Sequence, residues 1–163
     1  MKSSLRLTLA LFALITAGCG QKGDLSTAVA TTAPQAGTRT VEITAGDNMK
    51  FSLSTIEAKP GEEIKVILTN IGTQPKEVMG HNWILLKGGV DAAGYSAAAI
   101  LAKDTDYFPA DRAGDVLAHI PLQGPRKSGE ITFKAPMQPG EYLFLCSFPA
   151  HFQVGMKGVL VVK

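Results

Sequence analysis

The chain has 163 residues, 45% hydrophobic and 18% charged, with a formal net charge of +2. Lys2 and Arg6 both lie in the first eighteen residues, and removing them leaves 14 Lys+Arg against 14 Asp+Glu. A formally neutral remainder excludes the clustered basic surface of a nucleic-acid binder and implies no strong long-range steering of a charged partner.

Residues 1–18, MKSSLRLTLALFALITAG, have a basic start, an apolar run from Leu7 to Ile15, and a small-residue exit into Cys19. This is the layout of a bacterial secretory signal, with an apolar run too short to span a bilayer stably. The segment resembles a lipobox, with Thr16 where leucine is usual. It predicts that Cys19 becomes the lipidated first residue, against the plainer reading of a secreted protein with an unmodified Cys19. Residues 20–38 are small, polar and free of aromatics, and read as a flexible tether reaching about 25 Å. Residues 39–163 then form one domain with one core.

Strand patterns follow at residues 40–44, 50–53, 64–69, 81–86, 116–120, 130–133, 141–146 and 158–162. Many alternate apolar and polar residues at period two, as half-buried antiparallel strands do. Pro60-Gly61 and Pro139-Gly140 mark turns. The gap between residues 88 and 115 contains a helix-favouring stretch around 91–105, with Asp91 as its N-cap. The expected fold is an all-β sandwich of seven or eight strands with one helical excursion.

A lipidated Cys19 leaves Cys146 without a disulfide partner in an oxidising compartment, which points to deep burial or to bound metal. Cys146 lies in CSFPAHFQVGM with His151 and Met156. His81 and His119 are the other two histidines. Two imidazoles, a thiolate and a thioether match the donors of a blue-copper site; a catalytic zinc would not call for the methionine and would need an open position. A thiol hydrolase lacks its local signature here. Read singly, Met156 also fits a core position, His81 a strand end, Trp83 the core, and His119 an ordinary strand histidine.

Gly80-His81-Asn82-Trp83 and Cys146-Ser-Phe-Pro-Ala-His151 together carry a family resemblance, extended by Asp47-Asn48-Met49-Lys50-Phe51, Lys103-Asp104-Thr105-Asp106-Tyr107, Val116-Leu117-Ala118-His119 and Met156-Lys157-Gly158. Residues 39–163 resemble the cupredoxins, azurin-like proteins above all, with a second likeness to the auracyanins. The resemblance implies a Greek-key β-sandwich holding one type 1 copper. It implies His81, Cys146 and His151 as equatorial ligands, Met156 as a weak axial ligand, and the Gly80 carbonyl as a candidate opposite contact. Asn82 would tie the two ligand loops, and the N–H groups of Asn82 and Phe148 would donate to the Cys146 sulfur. With His151 as the exposed ligand edge, Met79, Pro149, Ala150, Phe152 and Val154 would ring it as a docking patch.

Two departures stand out. Four residues separate His151 from Met156, where azurins have three, and the azurin disulfide has no counterpart. The expected function is one-electron transfer, without enzymatic turnover, between redox proteins such as cytochromes or oxidoreductases, bound transiently outside the cytoplasm. The expected anchor is lipid at Cys19, on the outer membrane where there are two membranes. A periplasmic copper carrier would use the same ligands.

Overall fold

The computed structural model describes residues 37–163. The expected signal peptide, Cys19 and nearly all of the tether lie outside that range. Among the described residues, eight strands form two sheets: β1 (Arg39–Ala45), β2 (Thr55–Ala58), β3 (Glu63–Asn70), β4 (His81–Leu86), β5 (Val116–Gln123), β6 (Ser128–Lys134), β7 (Gly140–Leu145) and β8 (Lys157–Val162). One sheet has the order β1-β3-β6 and the other β2-β8-β7-β4-β5. The architecture is the all-β sandwich that the alternating patterns predict.

Ile64, Val66 and Leu68 of β3 and Trp83 and Leu85 of β4 are fully buried between the sheets, together with Phe144 and Leu160. Each aliphatic side chain buried in this way contributes about 1.5–3 kcal/mol. Between β2 and β3 the chain reverses at Lys59-Pro60-Gly61-Glu62, where Glu62 N–H donates to Lys59 O at 3.1 Å. Proline presets the first central angle there, and Gly61 supplies the positive φ of 72° at the second.

Two expectations need correction. The strand expected at 50–53 is instead β2 at Thr55–Ala58, and Phe51 makes only an isolated bridge to Ala45. Gly46 to Met49 turns tightly, with Met49 N–H on Gly46 O at 2.9 Å, and Ser52 N–H reaches Thr44 O at 2.9 Å, so residues 50–53 touch the end of β1 without forming a strand. Ile56 and Ala58 carry the buried alternation. Nor is the pairing antiparallel throughout: β1 runs parallel to β3 and β2 parallel to β8. Period-two alternation reports a half-buried face and is blind to strand direction.

β4 is buried at all six positions because both its faces are covered. Trp83 and Leu85 face the other sheet, while Ile84 and Leu86 join Tyr95 and Leu145 in a second cluster outside. Tyr95 comes from α2 (Ala92–Leu101), which follows α1 (Lys76–Met79) in the chain. The Asp91 side chain caps α2 by accepting from Ala93 N at 3.1 Å. The expected helical stretch thus ends at Leu101, and 3-10 turns follow at Lys103–Thr105 and Ala110–Asp115. The four-residue α1 was not expected; it is too short to show helical periodicity.

Candidate metal centre

His81 opens β4, and Cys146 directly follows the last residue of β7. The two strands are antiparallel, with Ile84 opposite Leu145, so these two ends meet. Cys146 shares the inner face with Phe144 and Tyr142, two and four residues earlier. The loop after Cys146 then turns back and places His151 against both. One donor atom each of His81, Cys146 and His151 lie within 4.8 Å of one another. The two imidazoles sit 4.9 Å apart between centroids, and Cys146 Sγ is 3.4 Å from His151 Nδ1.

All three donors are buried, His151 being 1% exposed. Among the described residues, neither ring nitrogen of His81 has a hydrogen-bond partner, although buried polar atoms are nearly always paired. Burial holds the His81 imidazole below its ordinary pKa, with the Gly46 carbonyl and the Asp47 charge working the other way. Burial and the facing His81 push His151 down to about 4. The Cys146 thiol is pushed up to about 12 by burial, while hydrogen bonds from the backbone of Asn82 and Phe148 oppose this by favouring the thiolate. Without a cation, the site therefore favours two neutral imidazoles and a thiol. A soft cation binds the neutral imidazoles and the thiolate, and takes up one of the two stranded His81 nitrogens.

Residues 38–163 match the copper binding proteins of the plastocyanin/azurin family. The chain belongs to that family. Auracyanin-A of Chloroflexus aurantiacus is 32% identical over 100% of both chains. Auracyanin-B of the same organism is 34% identical over 76% of this chain, which spans 52% of that relative's length. Outer membrane protein H.8 of Neisseria meningitidis serogroup B is 37% identical over 71% of this chain and 63% of its own. The crystal structure of dithionite-reduced auracyanin from Roseiflexus castenholzii superposes with a TM-score of 0.69 at 39% identity, covering 77% of this chain and 98% of that one.

As in a type 1 centre of the plastocyanin/azurin family, the donors suit one copper: His81, Cys146 and His151 converge, with two nitrogens otherwise stranded. Met156 is fully buried in the same cluster as Cys146 and Phe148. Its N–H donates to His151 O at 2.9 Å, and its carbonyl accepts from Cys146 N–H at 3.1 Å. The intervening residues close through turns, with Val154 N–H on Ala150 O, Gly155 N–H on Phe152 O, and Gly155 at φ 94°. A four-residue spacer is thereby accommodated while the Met156 backbone stays pinned between two donors.

Asn82 joins the two ligand segments. Its Oδ1 accepts from Ser147 N at 2.8 Å and its Nδ2 donates to Ser147 Oγ at 2.8 Å. Gly80 packs so closely that an added Cβ would stand 2.6 Å from Lys76 O and 2.8 Å from Leu122 Cγ. His119 lies apart from the centre, stacked on Phe108 at 4.3 Å. Trp83 is core.

Of the ring of apolar residues, Ala150 and Val154 are exposed, and Met79 and Pro149 half-buried. Phe152 instead packs on the outer cluster of Ile84, Leu86, Tyr95 and Leu145. His151 itself is covered rather than presenting an open edge, because the Phe148 ring lies 4.7 Å from it and the loop closes over it. The sequence did not reveal Ser147 and Tyr107 as linking residues: their hydrogen bonds join the distant segments that carry the donors. Both lie in motifs that carry the family resemblance, Ser147 next to Cys146 and Tyr107 at the end of Lys103–Tyr107, but neither motif showed that they touch.

Proposed function

We propose that this chain is a one-electron carrier working outside the cytoplasm, held to a membrane by lipid on Cys19. The observation that carries the reading is the buried convergence of His81, Cys146 and His151 within 4.8 Å. Bound copper supplies a one-electron couple through these donors. The chain contributes the rest. His81, Cys146 and His151 would hold the metal, with the Met156 thioether and the Gly80 carbonyl as further candidate contacts. N–H donation from Asn82 and Phe148 stabilises the thiolate, and the closed loop excludes water.

Residues 1–18 form the leader, 19–38 the lipidated tether and 39–163 the copper domain. The lipobox-like run into Cys19 supports the anchor. The similarity to H.8, an outer membrane protein, supports the outer membrane as its place. Partners are redox proteins such as cytochromes or oxidoreductases, met through small, transient contacts around Met79, Pro149, Ala150 and Val154, with Phe152 at the margin.

A copper carrier with the same ligands is the competing reading. The near-complete cover of all three donors favours retention of the metal over hand-off. Absorption spectra of the copper-loaded protein, oxidised and reduced, decide the matter. An intense thiolate-derived band that bleaches and returns with copper still bound supports electron transfer. Release of the metal on reduction supports the carrier.

A further inference from the structure

The segment between β4 and β5 supplies none of the candidate donors, yet it touches every piece of chain that carries one. Asp106 Oδ2 accepts from Lys76 Nζ at 2.8 Å, reaching α1, which leads into Gly80 and His81. Tyr107 O accepts from Ser147 Oγ at 2.6 Å, and the Tyr107 ring meets Phe148 edge-on at 5.0 Å. That is the chain leaving Cys146. Ser96 of α2, itself buried, receives a 3.3 Å hydrogen bond from Gln153 Nε2, while Phe152 packs against Tyr95 and its cluster. That is the spacer between His151 and Met156.

The backbone of this segment is unusual. Asp106 and Tyr107 have φ of 55° and 62°, two consecutive non-glycine residues in the left-handed region. Side chains disfavour that conformation, and it persists where surrounding contacts over-determine it. Here Asp106 N–H is held by Lys103 O at 3.1 Å and Tyr107 N–H by Ala102 O at 2.9 Å. The conformation places the Tyr107 carbonyl against Ser147 and its ring against Phe148. The Lys76–Asp106 pair is partly exposed on both sides and adds little by itself.

We propose that this segment is a positioning brace for the metal centre, with Tyr107 as its central residue and Ser96 as its second hold on the ligand loop. The brace ties the approach to His81, the exit from Cys146 and the spacer before Met156 to one body. The donors are then held in place before metal arrives. The inference rests on the copper reading only for its effect on metal retention.

The test uses the full chain with Tyr107→Ala, Tyr107→Phe and Ser96→Ala. Amide hydrogen exchange is read on the copper-free protein at Ser147, His151 and Met156, with Val66 and Leu68 in β3 as the fold control. Tyr107→Ala should speed exchange at the three loop amides and leave β3 unchanged, and Tyr107→Phe should restore wild-type protection. Ser96→Ala should act at His151 and Met156 and spare Ser147. In the copper-loaded chain, Tyr107→Ala should weaken copper retention against a chelator by about 10–100-fold, as loss of outer partners of metal ligands does.

Unchanged loop exchange in both alanine variants, or a rise shared equally by β3, overturns the brace. Failure of the copper reading is separable: it shows as a wild-type chain without the thiolate band, while the exchange comparison in copper-free protein still reads the brace directly.

Discussion

Asn82 and Ser147 exchange two hydrogen bonds of 2.8 Å, one to the backbone and one between side chains, across 65 positions of sequence. Both residues are buried. Each directly follows a donor, His81 or Cys146, so this one contact sets the separation of the two chain segments that carry them. Asn82→Ala removes both bonds and leaves Ser147 N–H buried without an acceptor. The expected loss is about 1–3 kcal/mol of stability, measured by urea unfolding of the copper-free protein. A loosened ligand pair should also show as a shifted thiolate band once copper is added.

Cys146→Ser replaces the soft sulfur with a poorer copper donor at a fully buried position. The intense colour of the copper-loaded protein should disappear, as read by visible absorption. Retention of that colour would sink the ligand assignment. His119→Ala is the control: His119 stacks on Phe108 away from the centre, and its loss should leave the spectrum unchanged.

Gly80→Ala places a methyl group 2.6 Å from Lys76 O and 2.8 Å from Leu122 Cγ. The α1 end must shift, and overpacking of this kind costs about 1–3 kcal/mol. Because His81 is the next residue, a spectral change should accompany the drop in the urea midpoint. An unchanged spectrum would show that the strain relaxes away from His81.

Stability of the copper-free chain should fall on both sides of a plateau. His151 is held near 4 when folded, against an ordinary 6.5, and His81 is also lowered. The unfolded chain therefore takes up protons first, so the stability is present above about 6.5 and is lost as pH falls towards 4. Cys146 is raised to about 12 from 9.0, so the unfolded chain ionises first and stability is lost as pH rises above 9.0. Urea midpoints measured across pH check both limbs. A flat profile below 6.5 would contradict the burial of the two imidazoles.

Much of the fold and of the centre was legible because it is written in local pattern. Alternation placed seven of the eight strands close to their observed positions, and Asp91 marked the start of α2 correctly. Two of the three convergent donors were legible because CSFPAHFQVGM keeps Cys146 and His151 in one short motif. β2 was misplaced because Lys50 to Leu53 and Thr55 to Ala58 both look like strands locally. The partner strand β8, a hundred residues away, decides between them.

By itself, then, the sequence determined which side chains can offer soft donors, how far apart they lie along the loop, and which faces of the strands are apolar. Only the tertiary structure decided that β1 and β2 pair in parallel, that His151 is closed over, and that the Met156 backbone is held between His151 and Cys146 despite the longer spacer. It alone joined Ser147 to Asn82 and to Tyr107. The division has one physical cause: periodicity and spacing are properties of neighbouring residues, whereas strand direction, cover and cross-loop hydrogen bonds arise when distant segments meet.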